Sequence, residues 1–138
     1  MDHSIENNEA LKPEWAILGA FCIAVFMKLF LFDFMIAEGS SMSPTIQPGT
    51  VIVVDKIAYG LRLPWAETYL LRWSLPKQGD VVIFYTLEGE IAVKRCAEVI
   101  EAHTFMALGD NSLQSYDSRS YGPIPLSNII GKVLGIGI

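Results

Sequence analysis

Residues 81–96 read VVIFYTLEGEIAVKRC. The β-branched and aromatic run Val81–Tyr85, entered through a Gly79-Asp80 turn, has the residue types that suit a pleated, well-covered surface. Leu87-Glu88-Gly89 then supplies a turn, and from Ile91 apolar and other residues alternate as far as Cys96. The stretch therefore predicts an antiparallel β-hairpin. It sets Lys94 late on the second strand, beside Arg95 and among apolar neighbours. Cys96 is expected to face away from Lys94 and to pack in the interior rather than act as a nucleophile.

Outward from the hairpin the same signals recur. Val51–Val54, flanked by Gly49 and Asp55, predicts a short strand. Between Arg95 and Gly109 there is room for one more strand or hairpin. Gly109–Arg119, GDNSLQSYDSR, has the composition of a loop, Pro123 and Pro125 bracket an irregular bend, and Ile129–Ile138 is an apolar, glycine-broken strand expected to close the sheet. Leu61–Leu75 holds Trp65, Tyr69, Leu70, Leu71 and Trp73, too apolar for an ordinary loop. It reads equally as packing against the sheet or as a patch resting among lipid headgroups, where tryptophan and tyrosine are favoured.

A chain of 138 residues allows one compact domain, or a small domain with an anchor. Its 51% hydrophobic and 18% charged content is more apolar than a soluble domain of this size can bury, and a net charge of -5 gives no footing for nucleic acid. Trp15–Met27 is apolar or glycine throughout, and the run resumes past Lys28 as LFLF. The length approaches the roughly 20 residues of a bilayer span. The acidic residues before it, and the lack of a small-residue cleavage site after it, point to a retained anchor rather than a secretory signal. Residues 1–14 read as a mobile solvated tail, 15–32 as the membrane anchor and 33–138 as the β-domain. The architecture expected is mainly β: one transmembrane helix followed by a small antiparallel, barrel-like sheet. Lys28 either snorkels to the interface or marks the end of the helix.

The chemistry centres on Gly39–Thr45, GSSMSPT, where Ser41 sits next to small residues that allow tight backbone geometry and an exposed hydroxyl. Taken alone, this is also the composition of many turns. A serine hydroxyl needs a base to take its proton. His3 stands in the tail and His103 in a strand-like segment, neither with an orienting carboxylate. Lys94 is the alternative. As a base it must be neutral, which requires desolvation to lower its pKa by about 3 units. Cys22 and Cys96 occupy settings too different to pair, and no metal, nucleotide or organic cofactor motif is visible.

Ser41, the Lys94-Arg95 pair and the GDNSLQSYDSR loop, in this order behind one membrane-length apolar segment, resemble the type I signal peptidases, the membrane-bound proteases that use a Ser-Lys dyad. The resemblance runs from about Lys28 onward and includes KIAYGLRLP at 56–64 and PKQGDVVIFY at 76–85. It implies Ser41 as nucleophile and Lys94 as base, with Ser115 orienting the amine and Asp117 and Arg119 bracing the loop. The oxyanion donor expected is the Ser41 backbone N–H. A further serine often stands two positions earlier, where this chain has Gly39; Ser40 is a poor substitute because it points away. The resemblance also implies that extended signal peptides of exported preproteins are cut after Ala-X-Ala-like sites, with Met35, Ala37, Met42 and Val93 as pocket walls and the catalytic part outside the cell membrane. The sequence after Lys94 lacks the usual GLPGD-like stretch, and most of the second β-domain found in many members is missing, so a minimal or divergent member is expected. A specialised peptidase for a pilin or conjugation factor is one alternative. A membrane-anchored domain that binds peptides without cutting is another, against which the joint presence of Ser41, Lys94 and Ser115 argues.

Overall fold

The computed structural model describes residues 12–136. His3 and the rest of the expected tail up to Leu11 lie outside the described residues. The first element, helix α1, spans Pro13–Phe26 and continues as a wider π turn through Met27–Leu31. It takes in Pro13 and Glu14, ahead of the boundary expected at Trp15. Proline's fixed φ suits the first helical position, and an acidic residue in the first turn complements the helix dipole. None of its residues is buried against the rest of the protein. At 19 residues with a mean hydropathy of 1.9, Pro13–Leu31 is long and apolar enough to cross a membrane. Lys28 lies inside the last turn, and the chain becomes extended only at Phe32. There Lys56 donates its Nζ proton to the Leu29 carbonyl oxygen at 2.8 Å, satisfying an end-of-helix acceptor and fixing helix to sheet.

Strands β1 (Phe32–Ile36), β2 (Val51–Asp55), β5 (Val81–Tyr85), β6 (Ile91–Ile100), β7 (Thr104–Leu108), β8 (Ile124–Pro125) and β9 (Ile129–Ile136) form one antiparallel sheet in the order β1-β2-β9-β5-β6-β7-β8. The fold is mainly β, with a curled antiparallel sheet behind one apolar helix, as the sequence leads one to expect. β9, expected to close the sheet, does so from inside it, joining β2 to β5. β3 (Gly60–Leu61) and β4 (Leu71–Arg72) make a separate two-stranded ribbon, and Ser118–Tyr121 forms a one-turn helix, α2.

β5 explains its own unbroken hydrophobicity. Val82 and Phe84 enter a core with Tyr59, Cys96, Phe105, Ala107, Ile124, Leu126 and Ile129, while Ile83 enters a second core with Ala37, Met42, Ile46, Ile52 and Val54. A strand covered on both faces has no need of polar alternation. The expected hairpin of β5 and β6 is present, pairing Val82 with Lys94 and Tyr85 with Ile91. β6 then runs beyond Cys96, turns at Glu101–His103 and returns directly as β7 to Gly109.

The Leu61–Leu75 segment divides between its two readings. Tyr69 packs against the first core, its hydroxyl donating to the Ile129 carbonyl at 2.9 Å, and Arg62 bonds the Ala66, Ser127 and Ile129 carbonyls. Trp65 is 77% exposed and Trp73 55%, with Leu70 and Leu71 also outward. These four are not core.

Candidate active site

The loop between β1 and β2 holds Ser41 forward by burying the residues on its far side. Its neck is closed by the Ala37 N–H donating to Thr50 O at 2.9 Å and the Gly49 N–H donating to Ala37 O at 2.8 Å. Met42 and Ile46 are buried, one turn apart, and bonded through the Ile46 N–H to Met42 O at 2.9 Å. Gly39 adopts φ +75°, a left-handed conformation that glycine takes without strain.

Lys94 approaches from β6. Up to this residue β6 pairs only with β5, because pairing with β7 begins at Arg95 opposite Leu108, so Ile91–Lys94 has a free edge. The Lys94 side chain is 6% exposed, and its Nζ lies 2.6 Å from Ser41 Oγ. Burial drives its pKa down, assisted by the charge of Arg119; the carboxylate of Asp117 opposes the shift without reversing it. A charged Lys94 donates to Ser41, whereas a neutral one can accept the serine proton across the same 2.6 Å.

The 109–119 loop braces both residues. The Asn111 N–H donates to Ser41 O at 2.9 Å and its side-chain amide to Ser40 O at 3.2 Å, while the Ser40 hydroxyl turns away to Gln114 Oε1. Arg95 grips Asp110 with two bonds, at 2.8 and 2.6 Å, and also donates to Gly79 O, tying β6 to the same loop. Asp117 is fully buried. It caps α2 and accepts from the Arg119 guanidinium and N–H, from the Gly109 N–H at 2.8 Å and from the Ser115 hydroxyl at 2.6 Å. Burial alone would raise its pKa, but these donors hold it well below the usual carboxylate range. Ser115 therefore spends its one proton on Asp117. Among the described residues the Lys94 amine bonds Ser41 rather than Ser115.

A groove of about 350 Å³ runs up to the dyad between Met35–Gly39 and Ile91–Lys94. Met35, Ala37, Met42 and Val93 all line it, together with Ile46 and Ile52, which the sequence reading did not single out. Their signal was available only as buried apolar positions flanking the loop.

Two other sequence candidates separate from the site. His103 stands in the far turn of the β6–β7 hairpin, past Ile100, and the extended strand between Lys94 and Ile100 sets it roughly 20 Å from the dyad. Cys96, two residues from Lys94, shares its side of the strand by alternation, contrary to the expectation that it faces away. It is nonetheless inert in packing terms: its thiol is fully buried in the first core, and that burial pushes its pKa up to about 11.

The family model described as signal peptidase, peptidase S26, matches residues 10–99 and 87–136. Signal peptidase I of Bacillus caldolyticus is 25% identical over 86% of this chain and 86% of its own length. Signal peptidase I of Pseudomonas aeruginosa is 39% identical over 56% of this chain but only 28% of its own length. A probable thylakoidal processing peptidase 2 of Arabidopsis thaliana is 26% identical over 67% of this chain and 34% of its own.

Proposed function

The chain belongs to the signal peptidase family, peptidase S26, and we propose that it removes signal peptides from exported preproteins with Ser41 as nucleophile and Lys94 as general base. The enzyme is a serine endopeptidase. The observation that carries the residue assignment is the 2.6 Å approach of a buried lysine amine to a loop-borne serine hydroxyl.

The substrate lies extended between the outer edge of β1 and the free edge of β6, supplying the backbone bonds that neither edge makes for itself. Small side chains at the first and third positions before the cut enter the groove between Ala37, Met42 and Val93. Neutral Lys94 takes the Ser41 proton as Oγ bonds to the carbonyl carbon. The Ser41 N–H stabilises the resulting oxyanion. Lys94 returns the proton to the departing amine, and the C–N bond breaks. A water, deprotonated by Lys94, then releases the acyl group and restores Ser41. Asp117 and Arg119 hold the 109–119 loop, and Ser115 is tied into it through its bond to Asp117.

The apolar helix Pro13–Leu31 spans the membrane once, with the amino terminus inside and the catalytic domain outside. The Lys56 bond to Leu29 supports a groove held close to the bilayer, where Trp65, Leu70, Leu71 and Trp73 rest among headgroups. The test is cleavage of an Ala-X-Ala preprotein by the purified full chain in detergent, beside a scrambled-site control. Site-dependent cleavage that Ser41→Ala abolishes supports the reading. Binding of the preprotein without cleavage would replace it with a peptide-binding role.

A further inference from the structure

A second cavity, of about 300 Å³, lies against the other face of the same β6 edge. It shares Ile91, Ala92 and Lys94 with the substrate groove and is walled beyond them by Leu87, Tyr116 and Tyr121. The two tyrosine rings meet edge to face with centroids 5.3 Å apart, and Tyr116 is 65% exposed. Glu88 and Glu90 line the same cavity from the β5–β6 turn.

Strand alternation connects this cavity to the substrate. Val93 packs toward the second core and lines only the groove, whereas Ala92 packs toward the first core and borders both the groove and the second cavity. A peptide added to this edge alternates in register with β6. If its first and third side chains before the cut enter the groove, the second must point to the opposite face, over Ala92 and Lys94. From this geometry we infer that the cavity formed by Leu87, Glu88, Glu90, Tyr116 and Tyr121 is a subsite for the middle residue of the Ala-X-Ala site, and that it favours a long side chain with a cationic tip. The apolar and aromatic walls take the aliphatic stem, the tyrosine faces suit a guanidinium, and the two carboxylates repel an acidic residue. The inference rests on the edge-addition reading above.

The test is a panel of otherwise identical preproteins with Ala at the first and third positions and Gly, Leu, Arg or Glu between them. The full chain in detergent cleaves the panel, and kcat/KM is read relative to the Gly substrate, which has no side chain to place in the cavity. Arg is expected to exceed Gly by about three- to tenfold, Leu to fall between, and Glu to fall below Gly. Tyr116→Ala should flatten the Arg:Gly ratio. A Glu88→Lys, Glu90→Lys double variant should reverse the Arg:Glu order. Equal rates across the panel, with Ala still required at the first and third positions, would overturn this subsite while leaving the peptidase reading intact. A preference untouched by both variants would place the middle residue elsewhere. Failure to cleave any member of the panel would remove both readings together.

Discussion

Gly109 sits so close beneath Ser41 that a methyl group on its Cα would come within 2.7 Å of the Ser41 carbonyl oxygen and 2.1 Å of Ser115 Oγ. Backbone and a short side chain have little room to yield. Gly109→Ala should therefore push the nucleophile loop away from the 109–119 loop while leaving both cores intact. A displacement of this order costs roughly a hundredfold in turnover. The expected result is a kcat loss of that size with a thermal midpoint lowered by a few degrees at most. Unchanged kcat would mean that the contact between these loops does not set the Ser41 position.

Lys94 separates catalysis from stability. Its folded pKa lies below the ordinary lysine value of 10.5, so the unfolded chain binds this proton more tightly. The charged amine therefore weakens the fold below the folded pKa, and the penalty fades as pH rises toward 10.5. Lys94→Met, which keeps the stem and removes the charge, should abolish cleavage by more than about a thousandfold, as should Ser41→Ala. At neutral pH its thermal midpoint should equal or exceed the parent's. His103→Ala should keep nearly full activity. A clear fall in the Lys94→Met midpoint would show the amine to be structural, and loss of activity in His103→Ala alone would give the base role to histidine.

How far the sequence could be read depends on how local each signal is. The β5–β6 hairpin was legible because its residues, turn and alternation lie within sixteen consecutive positions. Lys94 and Ser41 could be nominated from residue type and order, but not their separation, which depends on how the 37–50 loop folds over Met42 and Ile46. The place of β9 between β2 and β5 was hidden for the same reason: an apolar strand carries no mark of which neighbours it will find. Arg95 carried no sign in the sequence of its partner, and its fork finds Asp110 in the loop after β7. The resemblance gave Ser115 to the Lys94 amine; that its hydroxyl also donates to Asp117 was not legible, because the buried position of that carboxylate comes from the fold. The composition of Leu61–Leu75 could not separate packing from exposure, and the fold divides it between Tyr69, turned in, and Trp65 and Trp73, turned out.

The outward tryptophans yield a prediction for the membrane. Replacing Trp65 and Trp73 together with serine should lower the stimulation of cleavage by lipid vesicles several-fold. Because both side chains are mostly exposed, the thermal midpoint in detergent should change little. Cleavage in detergent against cleavage in vesicles, measured on the same preparation, separates the effects. A large fall in stability with an unchanged lipid response would return the segment to a packing role.

The central claim is that Lys94, desolvated beside Ser41, works as the neutral base. The most direct measurement is the pH dependence of kcat/KM for Ala-X-Ala cleavage, with Ser41→Ala subtracted as background. Activity should rise with pH through a single ionisation whose apparent pKa lies well below 10.5, because only the unprotonated amine can accept the serine proton. An ionisation at or above 10.5, or a rate that does not rise with pH, would contradict it.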